Sequence, residues 1–182
     1  LTDNRLEHFT ILNIPDFDKK YEEICKWCDA ANDTNLDKIK ETAMQGTFMT
    51  RVFNQILGYS EIIDNGECYN QERENKTKLD STEADAALGY FNIKTGEKDV
   101  RAVVELKAAR TPLDKKQNRG DHSTPVEQAF LYAKKNGKKC SWVIVSNYVE
   151  TRLYKSNSML EYELFDIRNM NNEKEFLRFY YF

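Results

Sequence analysis

The apolar positions along the chain follow two periods. From residue 36 to 57 they recur at helical spacing. Phe48, Val52 and Ile56 form one stripe at 100° per residue, and Glu41 and Gln45 share it. This spacing predicts a long helix over residues 36–57, closed by Gly58. Ahead of it, Asn32-Asp33-Thr34-Asn35 is a polar break that offers helix caps. Residues 1–35 read as an acidic helical lead-in broken at Pro15, with a helix-like run over 19–30. Residues 64–82 are polar and read as irregular. The period then changes. Residues 83–90 and the valine-rich run 100–107 read as strands. The turn over 92–98, with Thr95-Gly96, joins them as an antiparallel hairpin. A loop over 108–123 leads to Thr124-Pro125, which opens a helix ending near Asn136 and Gly137. The continuous apolar run 141–147 reads as a buried central strand. Shorter strands fit 150–154 and 161–165, and a helix fits 172–180. Helix, two strands, helix, strand and further strands imply an α/β domain: a mixed β-sheet flanked by α-helices.

The chain has 182 residues, enough for one domain with a sizeable core. Its 12% aromatic content argues against disorder. No apolar run approaches the roughly 18 residues a membrane span needs, and no secretory leader opens the chain. No membrane association and a cytoplasmic location are therefore expected. The chain starts at Leu1 rather than Met, which suggests a fragment of a longer protein. Cys25 and Cys28 form a C-x-x-C pair, but His8 and His122 are not grouped with them as zinc ligands would be. The pair lies in a helix-like run rather than after a strand, so Cys25, Cys28, Cys68 and Cys140 read as reduced, largely structural thiols.

A net charge of −3 argues against a nucleic-acid partner. The average hides an asymmetry. Between Lys107 and Lys139 nine basic residues face only Asp114, Asp121 and Glu127, a local balance of +6, which leaves −9 elsewhere.

The candidate chemistry lies at the start of that segment. Alternation puts Val103, Glu105 and Lys107 on one face of their strand. A carboxylate and an ammonium two residues apart can hold a divalent cation and meet a phosphate. Asp85 lies in the small-residue, apolar run Glu83-Ala84-Asp85-Ala86-Ala87-Leu88, where a carboxylate wants a partner. On neighbouring strands, Asp85 and Glu105 could share Mg²⁺ with the backbone carbonyl of Leu106. Gln128 and Tyr132 stand one turn apart on a helical face, an amide and a phenol able to hold a phosphate or a water. Glu41 reads equally well as directed inward or as an exposed residue near a helix start.

These residues, in this order, resemble the PD-(D/E)xK nucleases. The resemblance is closest to the N-terminal endonuclease domain of type IIG and type I restriction enzymes. Val104-Glu105-Leu106-Lys107 looks like the catalytic strand of that family, and Ala84-Asp85-Ala86-Ala87-Leu88 like its "ADxAL" strand. The run from Pro125 to Ala133 looks like its "PxEQAxxYA" helix. Trp142-Val143-Ile144-Val145-Ser146-Asn147 with Thr151-Arg152-Leu153-Tyr154 looks like the following strand pair. Ile56-Leu57-Gly58-Tyr59 resembles its "LGY". The resemblance spans residues 36–165. It departs at the proline of the "PD" half, where this chain has Ala84.

The resemblance implies a restriction-endonuclease-like core over residues 36–182, following the lead-in 1–35. It implies Mg²⁺-dependent hydrolysis of DNA phosphodiesters, with Mn²⁺ able to substitute. Asp85, Glu105 and the Leu106 carbonyl would hold the metal, and Lys107 would orient or activate the attacking water. Gln128 and Tyr132 would position the phosphate or the water, with Glu41 as a further ligand. Arg110, Lys115, Lys116 and Arg119 are the expected phosphate contacts on a basic rim. Sequence recognition would reside in methyltransferase or specificity domains, in the same chain or in a partner subunit. A nuclease-like fold that binds nucleic acid without cutting is the alternative. A protein-interaction module using Phe179-Tyr180-Tyr181-Phe182 is a further one; that tail otherwise reads as a packing helix with an exposed apolar end.

Overall fold

The structure is a computed structural model and describes residues 13–77, 82–118 and 122–181. Six strands form one mixed sheet in the order β1-β2-β3-β4-β5-β6. They are β1 (Cys68–Lys76), β2 (Glu83–Asn92), β3 (Glu97–Leu106), β4 (Trp142–Ser146), β5 (Glu150–Lys155) and β6 (Tyr162–Asp166). Neighbours run antiparallel except β3 and β4, which are parallel. A parallel pair needs a crossover, and helix α4 (Pro125–Asn136) supplies it. Thr124 and Glu127 close a capping box at its start, with Pro125 in the first turn.

Helices cover both faces. On one face α1 (Phe17–Asn32), α2 (Glu41–Phe48) with its continuation, and α5 (Glu173–Tyr180) pack onto Ala86, Leu88, Ala102, Val104, Leu106 and Ile144. On the other face α4 sets Val126, Ala129 and Ala133 against Ala87, Val103, Val143 and Val145. The apolar run at β4 is buried from both sides, which explains why it shows no alternation. The architecture is therefore α/β. No helix among the described residues is long and apolar enough to cross a membrane.

Two expectations are corrected. The helix predicted over 36–57 begins at Glu41: a short 3₁₀ turn (Leu36–Lys38) precedes it, and Ile39 and Lys40 are extended. From Met49 to Ile56 the winding is π-helical, seen in the bond from Leu57 N–H to the Val52 carbonyl at 2.9 Å. Phe48, Val52 and Ile56 still face inward, fully buried, so the apolar stripe survives the change of winding. The stretch read as irregular contains β1, in which the polar Gln71 and Arg73 pair with Leu88 and Ala86 of β2. A short helix α3 (Ile62–Asn65) precedes it. The aromatic tail forms the packing helix read from the sequence. Phe176 and Phe179 are buried and Phe179 lies against Phe165, with ring centroids 5.5 Å apart. Tyr180 packs against the same core, while Phe182 lies outside the described residues.

Candidate active site

The register of β2 on β3 pairs Ala86 with Val104. One step further along, it sets Asp85 opposite Glu105, where the antiparallel pair ends. The β2–β3 hairpin therefore delivers both carboxylates to the same end of the sheet. Here the hairpin brings together what the chain separates by twenty residues.

Lys107 donates from Nζ to Glu105 Oε1 and to the Leu106 carbonyl at 3.1 Å. The pair is almost sealed, with side chains 3% and 2% exposed. Asp85 Oδ2 accepts from the Leu106 N–H at 2.6 Å. The peptide units on either side of Leu106 thus bind Asp85 through the N–H and Lys107 through the carbonyl. Burial pushes the Asp85 carboxyl above the usual carboxylate range. The Leu106 N–H and the Lys107 charge pull it back, and the Glu41 charge pushes it further up.

Helix α2 completes the cluster. Glu41 Oε2 accepts from the Ala108 N–H at 3.0 Å, so Glu41 points inward to the residue after Lys107. One turn later, Gln45 donates to Asp85 Oδ1 at 2.9 Å. The Tyr148 hydroxyl donates to the Glu41 carbonyl at 3.2 Å. Burial raises the Tyr148 phenol far above its ordinary value, and the Glu41 and Asp85 charges add to this. Tyr148 holds a left-handed backbone (φ 68°), a strained state for an aromatic residue in the β4–β5 turn.

On α4, which packs across β3 and β4, Gln128 donates to the Tyr132 hydroxyl at 2.8 Å. The loop after β3 is held by buried Leu113, by Asn147 donating to the Thr111 carbonyl at 3.1 Å, and by the Asp114–Arg152 ion pair at 2.8 Å. It presents Lys115 and Lys116 to solvent, while Arg110 sits 3.4 Å from Asp37. Arg119 lies outside the described residues.

Gln45 and Tyr148 are the additions to the expected site. Gln45 had a signal, a polar residue one turn after Glu41 on an apolar stripe. Tyr148 had none, because a left-handed turn residue leaves no periodicity.

Among the described residues no three His, Cys, Asp or Glu side chains gather as a metal site. The donors at the Leu106 end still fit Mg²⁺. Asp85, Glu105 and the Leu106 carbonyl are all hard oxygens, and Mg²⁺ commonly takes one or two carboxylates with waters and substrate phosphates. Glu41 adds a further nearby negative charge, which pushes the Asp85 carboxyl up in the same direction as its burial, the larger cause. No family model, curated protein or solved structure matches the chain.

Proposed function

We propose that this chain is a Mg²⁺-dependent DNA endonuclease domain with a restriction-endonuclease-like core, acting in the cytoplasm beside the specificity and methyltransferase parts of a restriction system. The observation that carries the reading is the Leu106 cluster, which joins Asp85, Glu105 and Lys107 through one short backbone stretch. Asp85, Glu105 and the Leu106 carbonyl would hold the cation. When bound, it would supply charge stabilisation and an activated water at neutral pH.

The side chains have separate tasks. Lys107 has three donors and spends two within the protein, leaving one for a non-bridging phosphate oxygen or the attacking water. Gln45 fixes the orientation of the Asp85 carboxylate. Gln128 and Tyr132 hold the phosphate or the water from α4. Water adds to phosphorus, the bond to one ester oxygen breaks, and that oxygen leaves with the proton. Arg110, Lys115, Lys116 and Arg119 neutralise flanking phosphates.

The second reading is a nucleic-acid-binding domain that does not cut. Both Asp85 oxygens are already satisfied, and Lys107 and Glu105 are nearly inaccessible, which favours it. Nicking of supercoiled plasmid with Mg²⁺ or Mn²⁺ separates the two. Wild type should nick, and Asp85→Asn, Glu105→Gln and Lys107→Ala should each lose at least about 100-fold. Equal nicking by all four proteins would defeat the catalytic assignment. Salt-dependent binding without nicking would leave the second reading.

A further inference from the structure

The strand that sequence reading missed carries a cation beside the proposed active site. Arg73 on β1 pairs with Ala86, the residue after Asp85. Adjacent strands lie about 4.8 Å apart, so Arg73 and Asp85 are near neighbours across the sheet. Both side chains reach the same helical run. Asp85 meets Gln45, Arg73 meets Thr50, and Gly46 lies between.

The guanidinium is braced on one side only. Nε donates to Glu61 Oε1 at 2.5 Å, and one Nη donates to Thr50 Oγ1 at 2.8 Å. Glu61 is held in turn by buried Gln71, whose amide donates to it at 2.8 Å and to Asn54 at 3.0 Å. Two of the five guanidinium donors are thereby used. The second Nη has no hydrogen-bond partner among the described residues, and the side chain keeps 36% of its exposure. Gly46 faces this end. A Cβ there would meet only that free Nη, at 3.5 Å. Glycine within a helix costs about 1 kcal/mol relative to alanine, and nothing in the packing requires it here.

A half-exposed ion pair with Glu61 adds modest stability by itself. A braced arginine with a free planar edge is suited to a phosphate, because its ordering cost is already met. We propose that Arg73 binds a backbone phosphate of the nucleic acid, on the side of Asp85 opposite Lys107 and the basic loop. This rests on the nucleic-acid reading above and gives the site a second cationic bank. The strand order β1-β2-β3 then becomes Arg73, Asp85, Glu105 with Lys107: a cation, the carboxylates, a cation. The nucleic-acid backbone would cross the strand ends from one bank to the other.

The test is binding of a fluorescein-labelled DNA duplex over a salt series, in chelator so that no cleavage occurs. The proteins are wild type, Arg73→Gln, Arg73→Lys, Gly46→Glu and the remote control Lys19→Gln. Arg73→Gln should weaken binding about five- to tenfold and lower the slope of log K against log salt by about 0.9. Arg73→Lys should keep the slope. Gly46→Glu places a carboxylate against the free Nη without touching the bonds to Glu61 or Thr50. It should reproduce Arg73→Gln, and it decides the matter if Arg73→Gln melts early. Variants that bind like Lys19→Gln with an unchanged slope would overturn the Arg73 assignment and leave the active-site reading intact. Wild type that fails to bind would overturn both.

Discussion

The Arg152 cluster on β5 and the Lys107 cluster at the end of β3 each bury a cation against carboxylates, one strand apart. Arg152 donates to Glu150, to Asp114 at 2.8 Å and to the Tyr154 hydroxyl at 3.3 Å, and its guanidinium lies 4.6 Å from the Tyr162 ring. Only the cation is sealed there, since the Asp114 side chain is 71% exposed. The hydrogen bond from Arg152 holds the Asp114 carboxyl below the usual range. At the Lys107 cluster the carboxylates are inside. Burial outweighs the nearby cation and raises the Asp85 carboxyl instead. The ingredients match, but access to water decides whether the charged carboxylate is favoured. One cluster is satisfied as it stands and ties a loop to the sheet. The other holds its carboxylates away from water, where the charged form of Asp85 is disfavoured.

The largest expected effect separates the two cations. Lys107→Met leaves Glu105 charged and buried beside Asp85, and should cost about 3–5 kcal/mol in urea unfolding. The double variant Glu105→Gln with Lys107→Met should recover most of this, because it removes both charges. Arg152→Met releases Asp114 and Glu150 toward water and should cost about 1–2 kcal/mol, mainly in lost hydrogen bonds and ring contact. Equal costs for Lys107→Met and Arg152→Met would break the contrast.

The next effect is smaller and changes with pH. A carboxyl raised in the folded state keeps its proton after the unfolded chain has lost its own, so stability falls as pH rises through that window. Asp85→Asn removes that fall. In chelator it should melt at the wild-type temperature well below the ordinary carboxylate pKa and above it at neutral pH, by about 1 kcal/mol or roughly 2–4 °C. Added Mg²⁺ should stabilise wild type by about 2.7 kcal/mol at a hundredfold excess over its dissociation constant, seen as a higher melting temperature, and leave Asp85→Asn unmoved. A wild type indifferent to Mg²⁺ and to this substitution would remove the distinction between the clusters.

What the sequence disclosed follows from how each feature is encoded. The β2–β3 hairpin, α4 and β4 were legible because valine-rich and small-residue runs around a Thr-Gly turn, a proline at the first helical position and a continuous apolar run each report local geometry. Asp85, Glu105 and Lys107 were legible as a group because strand register converts spacing into proximity. β1 was not. It is an edge strand whose buried positions include Gln71 and Asn75, so no apolar period marks it, and Arg73 went unnoticed with it. The start of α2 was misplaced because the buried Leu36 belongs to a separate 3₁₀ turn. Tyr148 joins the site through a tertiary contact that no local pattern records, whereas Gln45 was marked by its place on the apolar stripe one turn after Glu41.

The smallest effect is the most discriminating in sign. Asp114→Asn removes an ion pair with one largely exposed partner, worth about 0.5 kcal/mol or less once solvent screening is counted. Its pH dependence should run opposite to that of Asp85→Asn. A carboxyl held low in the folded state contributes stability above its unfolded pKa and loses it as pH falls through the folded value. The gap between wild type and Asp114→Asn should therefore be widest at neutral pH, with wild type the more stable, and should close toward acid. The gap for Asp85→Asn also closes toward acid, but there the substituted protein is the more stable at neutral pH. Loosening the loop should also weaken DNA binding slightly through Lys115 and Lys116, without changing the salt slope, because no cation is lost. Thermal melts of both variants across one pH series read the two signs side by side. If both substitutions shift stability in the same direction at neutral pH, water access does not set the difference between the clusters.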